Sequence, residues 1–263
     1  MVGIHALGYL GNEAERVSCA LHELRGTLKA PEGTIGFGLA HYVDDRLLLN
    51  LKPAPVAADT SLEELVGPLK TSTLLGNFHV EAEAGPYKFR TWAFAMRGGG
   101  TAGEDLASRL TQGLPDMLRR NMAGDSVAEA AFHRFLDTLQ EEARLEDPMV
   151  PAKAVDVALK KTLDALHSAG DVLLLVSNGR FVAGIHNGLG LAYNLREGIL
   201  ACQRCAMDKH AMDNFPLRES HPLPHVDARG AEDGLRQVLV LAYRRGRDPA
   251  PHVANLGEFQ QPL

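Results

Sequence analysis

The densest group of chemistry-bearing side chains lies in CQRCAMDKHAMDNFPLRESHPLPH, where Cys202 and Cys205 stand two residues apart and His210, His221 and His225 follow. A C-x-x-C pair can present two thiolates to one face of a tetrahedral ion, and His210 or His221 would complete a zinc set. One C-x-x-C without a second pair is only half of a zinc motif, so a plain polar loop with incidental thiols stays open beside it. A redox pair would want a strand-to-helix setting that lowers a thiol pKa, and this stretch shows none. The remaining cysteine, Cys19, falls inside a helical pattern and reads as a small core residue. His186-Asn187-Gly188 reads as a turn. Trp92, the sole tryptophan, lies in an apolar strand-like run and reads first as core.

The elements that must carry these groups come from an ordinary globular composition. The chain has 263 residues, 45% of them hydrophobic and 23% charged, which is enough to bury a sizeable core and argues against disorder. A formal charge of -6 speaks against nucleic acid as a partner, since YRRGR at Tyr243 to Arg247 is the densest basic run and does not extend into a stripe. No apolar run approaches the roughly 20 residues that span a bilayer, and the start lacks a signal-peptide layout, so a cytoplasmic protein is expected. Three scattered cysteines fit a reducing compartment.

Periodicity orders the elements. A strand-like opening leads into a helix from about Glu13 to Arg25, with Val17, Ala20, Leu21 and Leu24 on one face. TIGFGLAHYVDDRLLLNLKPAP reads as a hairpin turning at Asp44-Asp45, and Thr60 with Glu63 starts a short helix. TLLGNFHVEAEAG and FRTWAFAMRGGG are strand candidates. Ser126 and Glu129 form a capping box for a long amphipathic helix, and AKAVDVALKKTLDALHSAG supplies another. Asn178-Gly179 predicts a two-residue type I′ hairpin, and RQVLVLAY a last strand. Strands, then helices, then strands without a low-complexity linker suggest one domain over 1–263, with sheets packed between helical layers.

Read in order, LGYLG, GFGLAHY, LLGNFHVEAEAG, FRTWAFAMRGG, GDSVAEAAF and LLLVSNGRFVAG resemble the class II glutamine amidotransferase domain, in its single-domain branch with the γ-glutamyl amidohydrolases of ergothioneine biosynthesis. The resemblance implies an α+β, four-layer αββα N-terminal nucleophile fold, two antiparallel sheets sandwiched between helices. It also implies a nucleophilic cysteine after the initiator methionine, activated by the free α-amine.

Here the chain departs from that pattern. The nucleophile's position holds Val2, which has no nucleophilic atom. The arginine of the family's H-V-R-A stretch, which holds the substrate carboxylate, matches Glu81. The Asn-Gly of its oxyanion hole reads Arg97-Gly98, and the acid that receives the α-amine matches Val127, while Glu129 is kept. The resemblance places Arg97, Glu81 and Trp92 around the old glutamine site, with two readings: Glu81 and Arg97 pair and close it, or Arg97 grips an anion. The expectation is a catalytically inactive protein that acts by binding, as a regulatory or scaffold partner through a protein partner or homodimer, or as a sensor of a small anion. Two alternatives stay open: an amidohydrolase or amidotransferase subunit whose chemistry is relocated or completed by a partner, and an interaction module stabilised by zinc at Cys202 and Cys205. No other cofactor is expected.

Overall fold

The computed structural model describes residues 2–11, 14, 17, 28–29, 34–52, 66, 69–79, 85–99, 104–187, 190–197, 218–219 and 236–243. The strands are β1 (Val2–Gly11), β2 (Leu28–Lys29), β3 (Gly36–Val43), β4 (Arg46–Lys52), β5 (Thr73–His79), β6 (Tyr87–Phe89), β7 (Trp92–Gly98), β8 (Val172–Ser177), β9 (Val182–Asn187), β10 (Gly190–Glu197), β11 (Arg218–Glu219) and β12 (Arg236–Tyr243). Between β7 and β8 come α1 (Glu104–Thr111), α2 (Asp116–Arg119), α3 (Val127–Glu142) and α4 (Ala152–Ala165). Among the described residues, eight strands form one sheet in the order β11-β10-β12-β1-β5-β3-β4, with β2 beside β1, and four form a second in the order β6-β7-β8-β9. Apart from the short parallel β1–β2 pairing, the ladders are antiparallel.

Strand alternation sorts the side chains into layers. On β7, Trp92, Phe94 and Met96 face helices α3 and α4 and pack with Phe132, Phe135 and Val155. Ala93 and Ala95 point the other way, into a second core with Ala6 of β1, Ala40 of β3 and Leu75 of β5. The two sheets therefore lie face to face across a core of alanines and larger side chains, among them Leu10, Tyr42, Leu173 and Leu175. The far face of the large sheet is covered too, since Leu7, Tyr9, Leu39, Leu74 and Phe78 are buried. Val17 and Val66, both helical and buried, fall within the stretches expected to be helical at Glu13 to Arg25 and after Thr60. Most other residues of those stretches, Cys19 among them, lie outside the described residues. The architecture is the expected α+β sandwich of two antiparallel sheets with helices packed outside.

The turn chemistry holds at one hairpin and differs at two others. Asp44 and Asp45 adopt φ of 48° and 61° between β3 and β4, the left-handed pair that a tight hairpin needs. Asn178-Gly179 does turn the chain from β8 to β9, but Ser177 pairs with Val182, so the loop holds four residues instead of two. Only Gly179 there has positive φ. The longer loop lets Phe181 bury itself against Trp92, with ring centroids 5.8 Å apart, and Asn178 folds back to accept from the Arg180 N–H at 3.0 Å. FRTWAFAMRGGG is not one strand: a turn at Arg90, φ 54°, divides it between β6 and β7. Ser126 caps α3 as its sequence predicts, accepting from the Glu129 N–H at 3.2 Å. Among the described residues, no helix is long and apolar enough to cross a membrane.

Three side chains of the large sheet pin it to the small one. The Tyr42 hydroxyl is shared between the Thr91 and Ser177 carbonyls at 2.7 and 3.0 Å. Thr73 Oγ1 donates to the Gly179 carbonyl at 2.8 Å, and Asn77 Nδ2 donates to the Met96 carbonyl at 3.3 Å. The Ser177, Gly179 and Met96 carbonyls belong to buried residues, where an unpaired acceptor would cost free energy.

His133 of α3 sets an acid limit on this packing. It is 2% exposed, and its ring lies against Phe89 and Phe132. Burial disfavours the imidazolium and pushes its pKa down to about 4. The folded chain thus binds the proton less readily than the unfolded chain, whose histidine titrates near 6.5. Stability from this group is complete above that value and drains away as pH falls toward 4. His133→Leu is expected to remove up to ~3 kcal/mol of the stability difference between pH 7 and pH 4. Urea unfolding of both proteins at the two pH values measures it, and an unchanged pH slope would contradict it.

Candidate functional site

Register fixes which ends of the sheets meet. On the large sheet, Ala6 pairs with Asn77 and Gly36 with His79, so β1 and β3 begin where β5 ends. On the small sheet, Arg97 and Gly98 at the end of β7 pair with Leu173 and Val172 of β8, which pair with His186 and Asn187 of β9. The Asn77 to Met96 bond sets one end upon the other. The strand that starts at Val2, together with Arg97 and Gly98, therefore converges on one end of the sandwich. Val127 comes to it as well: a Cβ on Gly99 would lie 3.8 Å from Val127 Cγ1.

Convergence at one end is not convergence on one face. Arg97 alternates with Ala93 and Ala95, so its half-buried side chain enters the layer between the sheets. Val127 packs on the helix side of the small sheet, against the aromatic core. Across the inner face, Arg97, Leu173 and His186 form one row, with Asn77 opposite on β5. His186 is thus a buried strand residue, 6% exposed, where its sequence suggested a turn. Asn77 is buried as well, and its one sequence signal is a lone amide inside the apolar run TLLGNFH. Glu81 lies outside the described residues, as do Cys202, Cys205, His210, His221 and His225. Among the described residues, no three His, Cys, Asp or Glu side chains group as metal ligands.

The positions that match the resemblance have work to do in the fold. Gly98 has φ of 85°, and a Cβ there would sit 1.8 Å from the Asp171 carbonyl oxygen, so β7 cannot pass β8 with any side chain at this point. Glu129, 7% exposed, accepts from the Ala123 and Gly124 N–H groups at 2.7 and 2.8 Å, holding the segment that leads into α3. Trp92 is fully buried, donates its indole N–H to the Leu145 carbonyl at 2.9 Å, and meets Phe135 and Phe181 edge-on. It stands five residues from Arg97 along β7, on the opposite face, so it is a core residue and does not line the inter-sheet end. A separate groove of about 970 Å³ runs between α1 and the segment before α3, but its arginines are engaged: Arg109 donates to Ser168 and Arg119 to the Leu114 carbonyl.

No protein-family profile matches the chain, and no curated protein matches it in sequence. Solved structures do resemble it in shape. A glutamine aminotransferase class-II domain protein from Silicibacter pomeroyi matches over 90% of this chain and 88% of its own, at 16% identity and a TM-score of 0.49. A predicted glutamine amidotransferase from Pseudomonas aeruginosa matches over 89% and 88%, at 16% identity and a TM-score of 0.44. Likeness at this level assigns no role to any residue.

The fold roles of Gly98 and Glu129 can be tested apart from any activity. Glu129→Ala strands two backbone donors and is expected to cost about 1–3 kcal/mol in denaturant unfolding. Gly98→Ala is expected to cost at least as much, because the Asp171 carbonyl must move. Full stability in both variants would mean that neither residue holds the fold.

Proposed function

We propose that this chain is a catalytically inactive protein built on an amidotransferase-like sandwich, and that it acts by binding a small anion through Arg97. The observation that carries the reading is the Arg97 side chain at the end of β7: a permanently charged guanidinium is directed into the layer between the sheets, beside the strand that begins at Val2. The resemblance puts a side-chain amide there and a nucleophile at Val2. Valine offers no lone pair to attack a carbonyl, and losing a nucleophile alone costs on the order of 10⁶-fold where it has been measured. Guanidinium donors could stabilise an oxyanion, but nothing at Val2 would create one.

The companion changes point the same way. Glu81 in place of a carboxylate-binding arginine would repel the acid end of glutamine, and Val127 in place of an acid removes the partner of its amine. The residues that are kept, Gly98 and Glu129, are explained by backbone packing and by N–H groups of the segment before α3. A regulatory or sensory role, with a protein partner reading the bound state, fits a chain that binds without converting. The single-domain amidohydrolase branch is then the ancestry of the fold and not the activity of this chain.

Purified protein is expected to release no ammonia from L-glutamine or γ-glutamyl amides and to keep its mass unchanged after treatment with a glutamine-mimicking diazo ketone. Val2→Cys is expected to stay inactive, because the substrate-holding positions changed with it. Millimolar phosphate or sulfate is expected to raise the melting temperature of the native chain but not of Arg97→Ala. A stoichiometric adduct with the diazo ketone would overturn the inactive reading, and equal anion response in Arg97→Ala would overturn the binding site.

A further inference from the structure

We infer that the chain pairs with a second copy of itself along β4, strand against strand about a twofold axis at Asn50, so that the large sheet continues from one protomer into the other. This is independent of whether Arg97 holds an anion.

Among the described residues β4 ends the large sheet, with β3 on one side and no strand on the other. The tight turn at Asp44-Asp45 makes Val43 and Arg46 a hydrogen-bonded pair, and the two kinds of antiparallel pair alternate from there. Arg46, Leu48 and Asn50 therefore turn their backbone groups toward β3, whereas Leu47, Leu49 and Leu51 turn theirs outward. Two side-chain bonds agree with this phase. Thr71, just before β5, accepts from the Tyr42 N–H on the side of β3 away from β4, and Lys88 Nζ donates to the outward Leu47 carbonyl at 2.6 Å. Open edges are normally guarded by charge, by a bulge or by a covering segment, and here the guard is partial. Lys88 takes the Leu47 carbonyl, but Leu49 and Leu51 each keep an outward N–H and an outward carbonyl with no partner among the described residues. The strand carries no charge between Arg46 and Lys52, and Leu48 and Leu51 are 45% and 55% exposed.

Those free groups select both the partner and the register. Antiparallel residues exchange bonds when each points at the other across the axis. With the axis at Asn50, Leu49 faces Leu51 of the second copy and Leu51 faces its Leu49, so both N–H groups and both carbonyls of each strand are satisfied while Lys88 keeps its place. An axis at Leu48 or at Leu49 would claim the Leu47 carbonyl and displace Lys88. A second copy is the occupant that the pattern itself supplies, because the donors and acceptors left over in one strand are those the other strand lacks. The Leu49 and Leu51 side chains then meet across the junction on the face that carries Leu47, and the exposed Asn50 amides meet on the opposite face. Each protomer spends its β4 edge on the other, so the pairing closes at two.

Sedimentation velocity of the purified chain over a range of micromolar concentrations is expected to show a monomer-dimer equilibrium. Leu51→Pro takes away an outward N–H without touching the β3 ladder, and symmetry removes it twice. The dimer should therefore weaken at least ~10-fold while circular dichroism stays unchanged. Register is tested by Asn50→Cys, since opposed residues of a non-hydrogen-bonded pair have α-carbons about 4.5 Å apart, within reach of a disulfide. Mild oxidation should join Asn50→Cys into a covalent dimer. Leu48→Cys stands roughly 13 Å from its copy in this register and should link no more than the native chain. The cysteine pair decides the matter even where Leu51→Pro fails to fold. A native chain that is monomeric throughout would overturn the inference, and amide hydrogen exchange at Leu49 and Leu51 would then show whether another segment of the same chain covers the edge. A dimer that tolerates a folded Leu51→Pro, or that links as readily through Leu48→Cys as through Asn50→Cys, would overturn it by placing the contact elsewhere.

Discussion

Everything at the candidate site depends on how closely the two sheets approach. Their inner faces interleave alanines, Ala6 and Ala40 on one side and Ala93 and Ala95 on the other, with larger side chains such as Leu10, Leu75, Leu173 and Leu175, so close packing depends on alignment. Alignment is supplied by polar side chains of the large sheet that take carbonyls of the small one. Tyr42 and Thr73 do this at the hairpin end, through Thr91, Ser177 and Gly179, and Asn77 does it at the other end through Met96. Apolar packing among these side chains has no direction, whereas the hydrogen bonds do. They decide that Arg97 comes to rest beside the entry of β1.

The same packing gives several residues that match the resemblance a role in the fold itself. Gly98 is needed because the Asp171 carbonyl fills the space of a side chain, Glu129 because two backbone donors before α3 need acceptors, and Trp92 because it centres the helix-facing core. Each would persist under selection for folding alone. Val2, Glu81, Arg97 and Val127 occupy positions where the sequence departs from the pattern it otherwise resembles. Where the structure describes them, none is a backbone necessity of the Gly98 kind.

Much of the scaffold was legible in the sequence because local chemistry and tertiary demand agree there. The Asp44-Asp45 turn, the Ser126 cap and the RQVLVLAY strand follow from residue type and period alone. What could not be read depended on distant partners. The loop at Asn178 is lengthened by the attraction of Phe181 to Trp92, nearly ninety positions away, and overrides the short turn its dipeptide favours. The site was legible only in part. Arg97 stood out through its mismatch with the resemblance, but Asn77 and His186 look like ordinary polar interruptions until the second sheet is laid over them. A register shift between Ile4 and Ala6 also breaks the strict alternation of β1, so counting by twos from Ala6 does not carry through to Val2.

The central claim is that this end of the sandwich holds an anion and performs no chemistry, and one nuclear magnetic resonance titration addresses both halves in a single tube. Protein labelled with ¹⁵N is mixed with excess L-glutamine, phosphate is added stepwise, and the Arg97 Nε–H signal, assigned by its loss in Arg97→Lys, is followed beside the glutamine spectrum. The account predicts a saturable shift of the Arg97 signal with phosphate and unchanged glutamine over days. Glutamate accumulating in proportion to the protein, with an Arg97 signal that ignores phosphate, would contradict it.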